Sequence, residues 1–297
     1  MKKKVALTLS GGGARGLAHI GVIEELRENG YEISSIAGTS MGAMVGGIYA
    51  SGKLNEFKEW ACKLDKLKIF RLVDFTFSTQ GLIKGDKVLN AIREFIPDKN
   101  IEDLSIPYIA VATDLIQKKE VVFDSGSLFK AIRASIAIPT VFTPVKTEKG
   151  LLVDGGIVNN IPISHIQRTK NDMLVAVDVN ADVPVRHIQH SLKDKEKHKS
   201  VYKNKLKGFY EHLNKIYPSE EDHKDKLGFF DVINETIGLM MYQITKTELK
   251  RLQPDLLIEI SKETCGVFDF YKAEELIEIG KQTTKEYIQT NIDELKI

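Results

Sequence analysis

The chain has 297 residues, of which 42% are apolar and 28% charged, as is usual for a globular protein that folds in water. Lys and Arg number 42 against 41 Asp and Glu, so a net charge of +1 excludes a whole-chain field for nucleic acid or another acidic polymer. The two cysteines, Cys62 and Cys265, are too few and too far apart for a disulfide framework or a metal site, and they fit a reducing compartment.

The N-terminus carries three lysines after Met1, like the basic start of a signal peptide. The apolar run behind them, Val5 to Leu9, is only five residues long. A secretory core needs about 7–15 apolar residues, and a membrane span needs about 18. Neither stretch is present, so we expect a cytoplasmic protein whose first element is a buried strand.

Short apolar runs alternate with helical periodicity, which is typical of an α/β domain with a largely parallel sheet. The predicted strands are Val5–Ser10, Ile33–Ala37, Tyr108–Asp114, Lys119–Phe123, Leu151–Val153, Met173–Asp178 and Leu256–Ile260. The predicted helices are Leu17–Gly30, Met41–Ala50, Leu54–Lys66, Lys84–Phe95, Leu128–Ser135, Ile163–Thr169, Ile233–Leu252 and Ala273–Leu295.

The composition shifts near Val185. Arg186 to Lys226 holds eleven Lys/Arg, seven Asp/Glu and five of the seven histidines, with few apolar residues. We interpret this stretch as a polar, partly helical excursion near 185–230 with the character of a lid. The predicted organisation is a catalytic core over residues 5–182, the excursion over 183–232, and a C-terminal segment over 233–297 that packs on the core within the same domain.

The connection between the first strand and the first helix is rich in glycine. Gly11, Gly13 and Gly16 satisfy the GxGxxG dinucleotide fingerprint, but the second strand ends without the acidic residue which that fingerprint requires. A P-loop is excluded because no GK[ST] follows. The glycines would let this connection point its backbone N–H groups into a cleft at the helix N-terminus, which favours the binding of a negative charge. The alternative interpretation is a plain strand–helix turn without a binding role.

A second motif, Gly38-Thr39-Ser40-Met41-Gly42, matches G-x-S-x-G between a buried strand and a helix. The sharp turn leaves no room for side chains at the two glycines and exposes the hydroxyl of Ser40 near a helix N-terminus. This context favours a nucleophilic serine. The alternative is a serine that only caps the helix.

A third motif, Asp154-Gly155-Gly156, follows a predicted strand, where α/β proteins build active sites. By itself it fits an Asx-turn equally well. A serine nucleophile needs a base, and neither His19 on the first predicted helix nor His165 lies in a glycine-framed turn after a strand. The simplest arrangement is a dyad of Ser40 with Asp154 as direct base, with the Gly11–Arg15 amides as oxyanion hole.

Taken together, these motifs resemble those of the bacterial patatin-like phospholipases. The likeness covers residues 5–182 strongly and 230–285 more loosely. The third motif ends in glycine (DGG) where the family pattern allows alanine or glycine. The matching segments are Gly11–Gly16, Gly38–Gly42 and Asp154–Gly156, with further likeness in Gly81–Gly85, Thr113–Leu115, Ala131–Pro139, Phe142–Val145 and Asn159–Pro162.

The resemblance implies the fold class α/β: a three-layer α/β/α sandwich with a mostly parallel central sheet. It also implies a dyad of Ser40 and Asp154 that acts on lipid acyl esters. The expected oxyanion donors are the amides of the glycine-rich loop, with Arg15 at the family's basic position beside them. The site residues are thus Ser40 and Asp154, the loop residues Gly11, Gly12, Gly13, Ala14 and Arg15, and the motif glycines Gly16, Gly38, Gly42, Gly155 and Gly156.

The resulting prediction is a serine acyl hydrolase that cleaves phospholipid or lysophospholipid esters through an acyl-enzyme. No metal or organic cofactor and no nucleic-acid partner is implied, and the oligomeric state is left open. A thioesterase or an acyltransferase would use the same dyad. A nucleotide-binding protein and a catalytically idle lipid-binding module are the alternatives from other classes.

Two further expectations concern lipid contact. The acyl chain is expected in an apolar cleft whose walls include Ile136, Ile138 and Phe142. The segment Phe57–Phe77 mixes Trp60 with four phenylalanines and five Lys/Arg, so it would suit a peripheral position at a lipid surface. An ordinary helix that packs on the domain with a solvated basic face is the favoured alternative for this segment.

Overall fold

A computed structural model describes residues 3–78, 81–185 and 229–294, so most of the predicted excursion lies outside the described residues. The strands are β1 (Lys3–Leu9), β2 (Tyr31–Thr39), β3 (Phe75–Ser78), β4 (Gly81–Ile83), β5 (Tyr108–Asp114), β6 (Lys119–Phe123), β7 (Thr140–Phe142), β8 (Val145–Lys146), β9 (Leu151–Asp154), β10 (Met173–Ala181) and β11 (Leu256–Ser261). The helices are α1 (Ala18–Glu28), α2 (Met41–Ala50), α3 (Leu54–Cys62), α4 (Lys66–Leu72), α5 (Asp86–Arg93), α6 (Leu128–Ser135), α7 (Phe229–Leu252) and α8 (Ala273–Glu294).

The main sheet has the order β11-β10-β1-β2-β5-β9-β8, and β6 also pairs with β5. All pairs from β11 to β5 are parallel, while β6, β9 and β8 join by antiparallel pairs. A small second sheet holds β3, β4 and β7. The sheet is therefore mixed: the predicted parallel part runs from the β11 edge to β5, and the antiparallel pairs lie on the other side of β5.

Side chains alternate between the two faces of the sheet, as the two-residue period of a strand requires. In β10, Val175 and Val177 join the main core, whereas Leu174 and Ala176 belong to a separate cluster on the other face. The main core also takes the buried residues of α1, α2, α6 and α8. The other face is covered by the C-terminal half of α7 and by the segment 161–166. The expected layered α/β/α architecture is confirmed.

Strand β5 brings the ends of two other strands together. Its Val111 pairs with Thr39 at the end of β2, and its next residue, Ala112, pairs with Asp154 at the end of β9. Strand β6 overlaps both pairings, so β2 and β9 must occupy the same opposite edge of β5. Since β2 runs parallel to β5 and β9 antiparallel, the two strands point at each other with their carboxyl ends.

Two predicted helices differ from the structure. The helix expected over Ile163–Thr169 is only a 3-10 turn, Ile163–His165, followed by extended chain. The carboxylate of Asp172 accepts hydrogen bonds from the N–H of Thr169 and from Arg168, and these local bonds compete with helix formation.

The helix expected over Leu54–Lys66 ends at Cys62, and a new helix begins at Lys66. Asp65 caps this second helix by accepting a 2.7 Å hydrogen bond from the N–H of Lys68. Phe57 is buried, and Trp60 stacks on it, so the packing interpretation holds for these two side chains. Helix α7 begins at Phe229, a few residues before the predicted start.

Candidate active site

Ser40 forms the sharp turn between β2 and α2. Its φ is 54°, a left-handed value that is strained for a residue with a side chain. The residue stands at the N-cap position of α2, but its side chain makes no capping hydrogen bond. The capping alternative therefore does not account for this serine.

The two glycines of the G-x-S-x-G motif are required by close packing. A Cβ on Gly38 would lie 2.5 Å from the carbonyl carbon of Gly42, and a Cβ on Gly42 would collide with the carbonyl oxygen of Leu9. The elbow is thus pressed both on itself and on the end of β1. No side chain fits at either position without displacing backbone.

The buried residue Ser135, at the end of α6, holds the strained elbow in place. Its hydroxyl accepts a 2.8 Å hydrogen bond from the N–H of Ser40 and donates a 2.7 Å hydrogen bond to the carbonyl oxygen of Val111. The backbone of Ser40 is therefore tied to β5, the strand that also pairs with β9.

Asp154 lies at the end of β9 and is buried, with 6% of its surface exposed. Its Oδ1 accepts a 2.8 Å hydrogen bond from the N–H of Gly156. Its Oδ2 accepts no hydrogen bond of standard distance and angle from the described residues, although the Ser40 side chain is close enough to lower the carboxyl pKa. Catalytic contacts are often loose before substrate binds.

Burial is the dominant influence on this carboxyl. It raises the pKa of Asp154 to about 6, against the opposing effects of Ser40 and the Gly156 N–H. A carboxylate with such a pKa is a stronger base than an ordinary aspartate but is still largely deprotonated at neutral pH. Gly155 allows the strand end to sit close to β5, because a Cβ there would collide with the carbonyl oxygen of Val111.

The two histidines near the motifs are engaged elsewhere. His165 forms a 2.6 Å contact with Glu120 on β6. His19 is fully buried, burial lowers its pKa to about 4, and its Nε2 bonds to the carbonyl oxygen of Ser10 at 2.8 Å. Neither histidine makes a hydrogen bond to Ser40 or Asp154, and both act as structural groups here.

The glycine-rich loop lies directly against Ser40. A Cβ on Gly11 would be 3.0 Å from the Cβ of Ser40, and a Cβ on Gly16 would be 2.5 Å from the Cβ of Met41. Gly13 has a φ of +57°, and a Cβ there would lie 2.5 Å from the carbonyl oxygen of Val267. These glycines let the loop approach the elbow and the segment after β11.

Not all of the predicted oxyanion donors are available. The N–H of Gly11 donates to the carbonyl oxygen of Asn160 at 3.2 Å, and the N–H of Ala14 donates to that of Val267 at 2.8 Å. These two amides are committed to other acceptors. The N–H groups of Gly12 and Gly13 make no hydrogen bond within the described part of the chain.

Asn180, two residues past Asp178 on β10, orients this loop. Its Nδ2 donates a 2.6 Å hydrogen bond to the carbonyl oxygen of Gly11. In a trans peptide the carbonyl and the following N–H point in opposite directions, so this bond fixes the direction of the Gly12 N–H. The Oδ1 of Asn180 accepts in turn from Arg15 at 2.8 Å.

The guanidinium of Arg15 serves the framework of the site. Besides Asn180, it donates to the carbonyl oxygens of Lys262 at 3.0 Å and Cys265 at 3.3 Å. It therefore joins the glycine-rich loop to the segment that follows β11. Arginine suits this task because its planar group carries several donors in fixed directions.

A cavity of about 1540 Å³ opens above the Ser40 and Asp154 side chains. It is roughly one and a half times the upper size of a typical small-ligand pocket, about 1,000 Å³. Of the expected acyl-chain walls, Ile138 lines it, whereas Ile136 packs in the main core and Phe142 with the small sheet. Other apolar lining comes from Ile157, Ile237, Met241, Val267 and Phe268.

The sequence analysis assigned no role to three positioning residues, Ser135, Asn160 and Asn180, although the first two lie in segments that resemble the family, Ala131–Pro139 and Asn159–Pro162. Ser135 and Asn180 reach the site through side-chain hydrogen bonds that span 95 and 169 positions of the chain, respectively. Asn160 reaches it through its backbone carbonyl, which accepts from the N–H of Gly11. One signal was available for Asn180, since it lies at the carboxyl end of a buried parallel strand, where sites of α/β proteins gather.

Comparison with known proteins identifies relatives of this chain. The family model for patatin-like phospholipase matches residues 7–166. An uncharacterised NTE family protein of Mycobacterium tuberculosis is 36% identical over 94% of this chain and 89% of its own length. A lysophospholipase of Candida glabrata is 27% identical over 99% of this chain but only 16% of its own length.

A further relative is the mouse patatin-like phospholipase domain-containing protein 6, which is 28% identical over 95% of this chain and 20% of its own length. The match to the family model contains both Ser40 and Asp154, together with the whole glycine-rich loop. The chain therefore belongs to the patatin-like phospholipase family.

Proposed function

We propose that this chain hydrolyses carboxylic esters of lipids through an acyl-enzyme on Ser40, with Asp154 as the base. The observation that supports this most strongly is the meeting of β2 and β9 along β5. It places a strained serine and a buried carboxylate side by side at the base of a large cavity. The family membership supports a lipid substrate.

The proposed reaction begins when the Ser40 hydroxyl oxygen attacks the ester carbonyl and Asp154 takes its proton. The carbonyl oxygen becomes negative, and the N–H groups of Gly12 and Gly13 donate to it. The intermediate collapses, the ester C–O bond breaks, and Asp154 returns the proton to the leaving alkoxide. Water then attacks the acyl-enzyme with Asp154 again as base, which releases the fatty acid and restores Ser40.

The other members of the loop take supporting roles in this proposal. The committed amides of Gly11 and Ala14 anchor the loop, while Asn180 and Arg15 set its orientation. Donors fixed in this way need no rearrangement when the charge develops, which is where such sites gain most of their rate.

The test is hydrolysis of p-nitrophenyl esters of increasing acyl length by the wild-type chain and by Ser40→Ala. We expect turnover in the wild type and its loss in the variant, with unchanged thermal unfolding in both. A fluorophosphonate probe should add its mass to the peptide that holds Ser40 and to no peptide of Ser40→Ala. Turnover retained in the variant contradicts the mechanism.

Product analysis separates hydrolysis from the related reactions. With a lysophospholipid alone, a hydrolase releases free fatty acid, whereas an acyltransferase produces a second acylated lipid. With an acyl thioester of equal chain length, a thioesterase turns over faster than with the oxygen ester. We expect free fatty acid and faster turnover of the oxygen ester.

A further inference from the structure

Among the residues whose side chains the structure describes, large apolar side chains that are exposed to solvent cluster in two places. Three lie on the hairpin of β5 and β6, and four lie on α7. Both places adjoin the loop of Asp154. The hairpin does so because its strand β5 pairs with β9, which ends at Asp154. Helix α7 does so because the methyl group of Met241 lies 2.9 Å from the position of a Cβ on Gly156. The seven residues are Leu115, Ile116, Val122, Val232, Ile237, Leu239 and Met240.

The hairpin tip holds its two apolar residues outward in a fixed conformation. Leu115 is 46% exposed and Ile116 is 65% exposed. The buried carboxylate of Asp114 accepts hydrogen bonds from the N–H groups of Ile116 at 2.8 Å and Gln117 at 3.0 Å. The tip is thus built by the backbone and Asp114, and the fold makes no use of the two aliphatic side chains.

A second hairpin tip, between β8 and β9, lies beside the first. The N–H of Leu115 donates to the carbonyl oxygen of Leu151 at 3.0 Å, and Asp114 also accepts from the Leu151 N–H at 3.3 Å. We name residues 115–119 and 146–150 the paired-tip surface. Its charged residues have a net charge of +3 (four minus one). They are four exposed lysines and one glutamate: Lys118, Lys119, Lys146, Lys149 and Glu148.

We propose that the paired-tip surface docks the chain on an anionic lipid bilayer. Leu115 and Ile116 would enter the headgroup region, while the lysines meet anionic headgroups. Two exposed aliphatic residues alone are common on protein surfaces. Here one hairpin tip presents them together, and the two adjacent tips carry four exposed lysines, on a chain whose overall charge is only +1. A hairpin tip has no groove for a peptide, whereas a fluid surface needs none.

The position of this surface fits the proposed function, on which the inference rests. Along β9, Leu151 and Asp154 are three residues apart, about 10 Å at the rise of a strand. Docking by the paired-tip surface would hold the carboxylate of Asp154 about 10 Å from Leu151, the residue next to the tips. Lipid would then reach Ser40 from the bilayer to which the chain is bound.

The experiment measures sedimentation of the full chain with vesicles, in the Ser40→Ala background so that the lipids stay intact. Vesicles of phosphatidylcholine alone are compared with vesicles that also contain phosphatidylglycerol. We expect binding only to the second kind. The double variant Leu115→Ser/Ile116→Ser and the double variant Lys118→Glu/Lys149→Glu should each bind more weakly, the second by at least roughly twentyfold, from about fivefold per lysine charge.

The matched control is Lys63→Glu/Lys285→Glu, which changes the net charge equally at two exposed lysines outside the surface. It should bind like the parent chain. Lys63 also tests the segment Phe57–Phe77, since loss of binding in this control would move the docking site there. Equal binding of both tip variants and the parent, or no binding by the parent, overturns the proposal.

Hydrolysis of a water-soluble short-chain ester by the same variants, with Ser40 restored, separates the two proposals. We expect the tip variants to match the wild type on this substrate and to lose activity only on anionic vesicles. Vesicle binding without any ester turnover would contradict the proposed function and leave the docking surface standing. A circular dichroism melt of each variant checks that it is folded.

Discussion

The side-chain amide of Asn180 donates a 2.6 Å hydrogen bond to the carbonyl oxygen of Gly11, across 169 positions of the chain. This bond holds the peptide between Gly11 and Gly12 in one orientation. The same asparagine accepts from Arg15, so its own amide cannot rotate freely. A residue outside every recognised motif thus determines where a proposed oxyanion donor points.

We predict that Asn180→Asp lowers kcat by about 10²-fold with little change in KM, as loss of one oxyanion donor does. The aspartate keeps the acceptor for Arg15 but repels the Gly11 carbonyl and removes the donor. The measurement is steady-state kinetics on a soluble ester. Asn29→Asp is the control, because its Nδ2 also donates to a backbone carbonyl, that of Glu25 at 2.9 Å, far from the site. An equal loss in the control would reduce the effect to stability alone.

The pH profile should report Asp154. The base must be deprotonated, and burial raises its pKa to about 6. We therefore expect kcat/KM to fall as the pH drops through about 6, by tenfold per pH unit below it. Burial also raises the pKa of Asp178, another carboxyl lining the cavity, to about 6. Asp178→Asn should leave the profile in place, and a profile that moves with it would point to the wrong carboxyl.

The same pKa shift predicts an effect on stability. The pKa of Asp154 rises from 3.8 to about 6 on folding, so folding favours its protonated form. Its contribution is fully present below about pH 4 and is lost as the pH rises through 6. Two pKa units correspond to about 3 kcal/mol.

Asp154→Asn should therefore raise the melting temperature at pH 8 while abolishing turnover, and the gain should vanish at low pH. Thermal melts of both chains from pH 4 to pH 8 provide the measurement. Equal melting temperatures of the two chains at every pH would refute this prediction, because they would mean that the ionised carboxylate does not destabilise the folded state.

Two glycine substitutions should act in opposite directions. Gly42→Ala places a methyl group against the carbonyl oxygen of Leu9 and should destabilise the chain by more than about 4 kcal/mol. Gly238→Ala, inside α7, has nothing within 4 Å of its added Cβ and should stabilise that helix by up to about 1 kcal/mol. Chemical denaturation of both variants tests the pair. Similar losses in both would show that glycine content, rather than this packing contact, is what matters.

The sequence predicted the elements with strong local signals. The bounds of β5, β6 and α6 agree with those predicted, because continuous apolar runs and a clear helical periodicity mark them. The helix predicted over Ile163–Thr169 was wrong. The carboxylate of Asp172 accepts from the backbone N–H of Thr169 and from the guanidinium of Arg168, and these bonds compete with helix formation. Short strands such as β4 and β8 carry too few residues for any periodicity.

For the candidate site, the sequence located the residues whose surrounding backbone is unusual. Ser40 and Asp154 lie in turns flanked by glycines. Those glycines identify the turns in the sequence because close packing leaves no room for a side chain at their positions. Ser135 and Asn180 sit in ordinary helical and strand contexts, and only the tertiary fold brings them to the loop and the elbow. Likewise, the commitment of the Gly11 amide to Asn160 depends on a contact that no local pattern records.

The head-on approach of β2 and β9 ties catalytic competence to the completion of folding. Thr39 and Asp154 pair with consecutive residues of β5, so a slip of one residue would turn the carboxylate to the opposite face of the sheet. That sheet also needs β1 to find β10, whose paired residues Val5 and Met173 are 168 positions apart (173 minus 5). Contacts of such separation form late and slowly. During refolding, helical signal should precede ester turnover, and the appearance of turnover marks the moment when the sheet has acquired its final register.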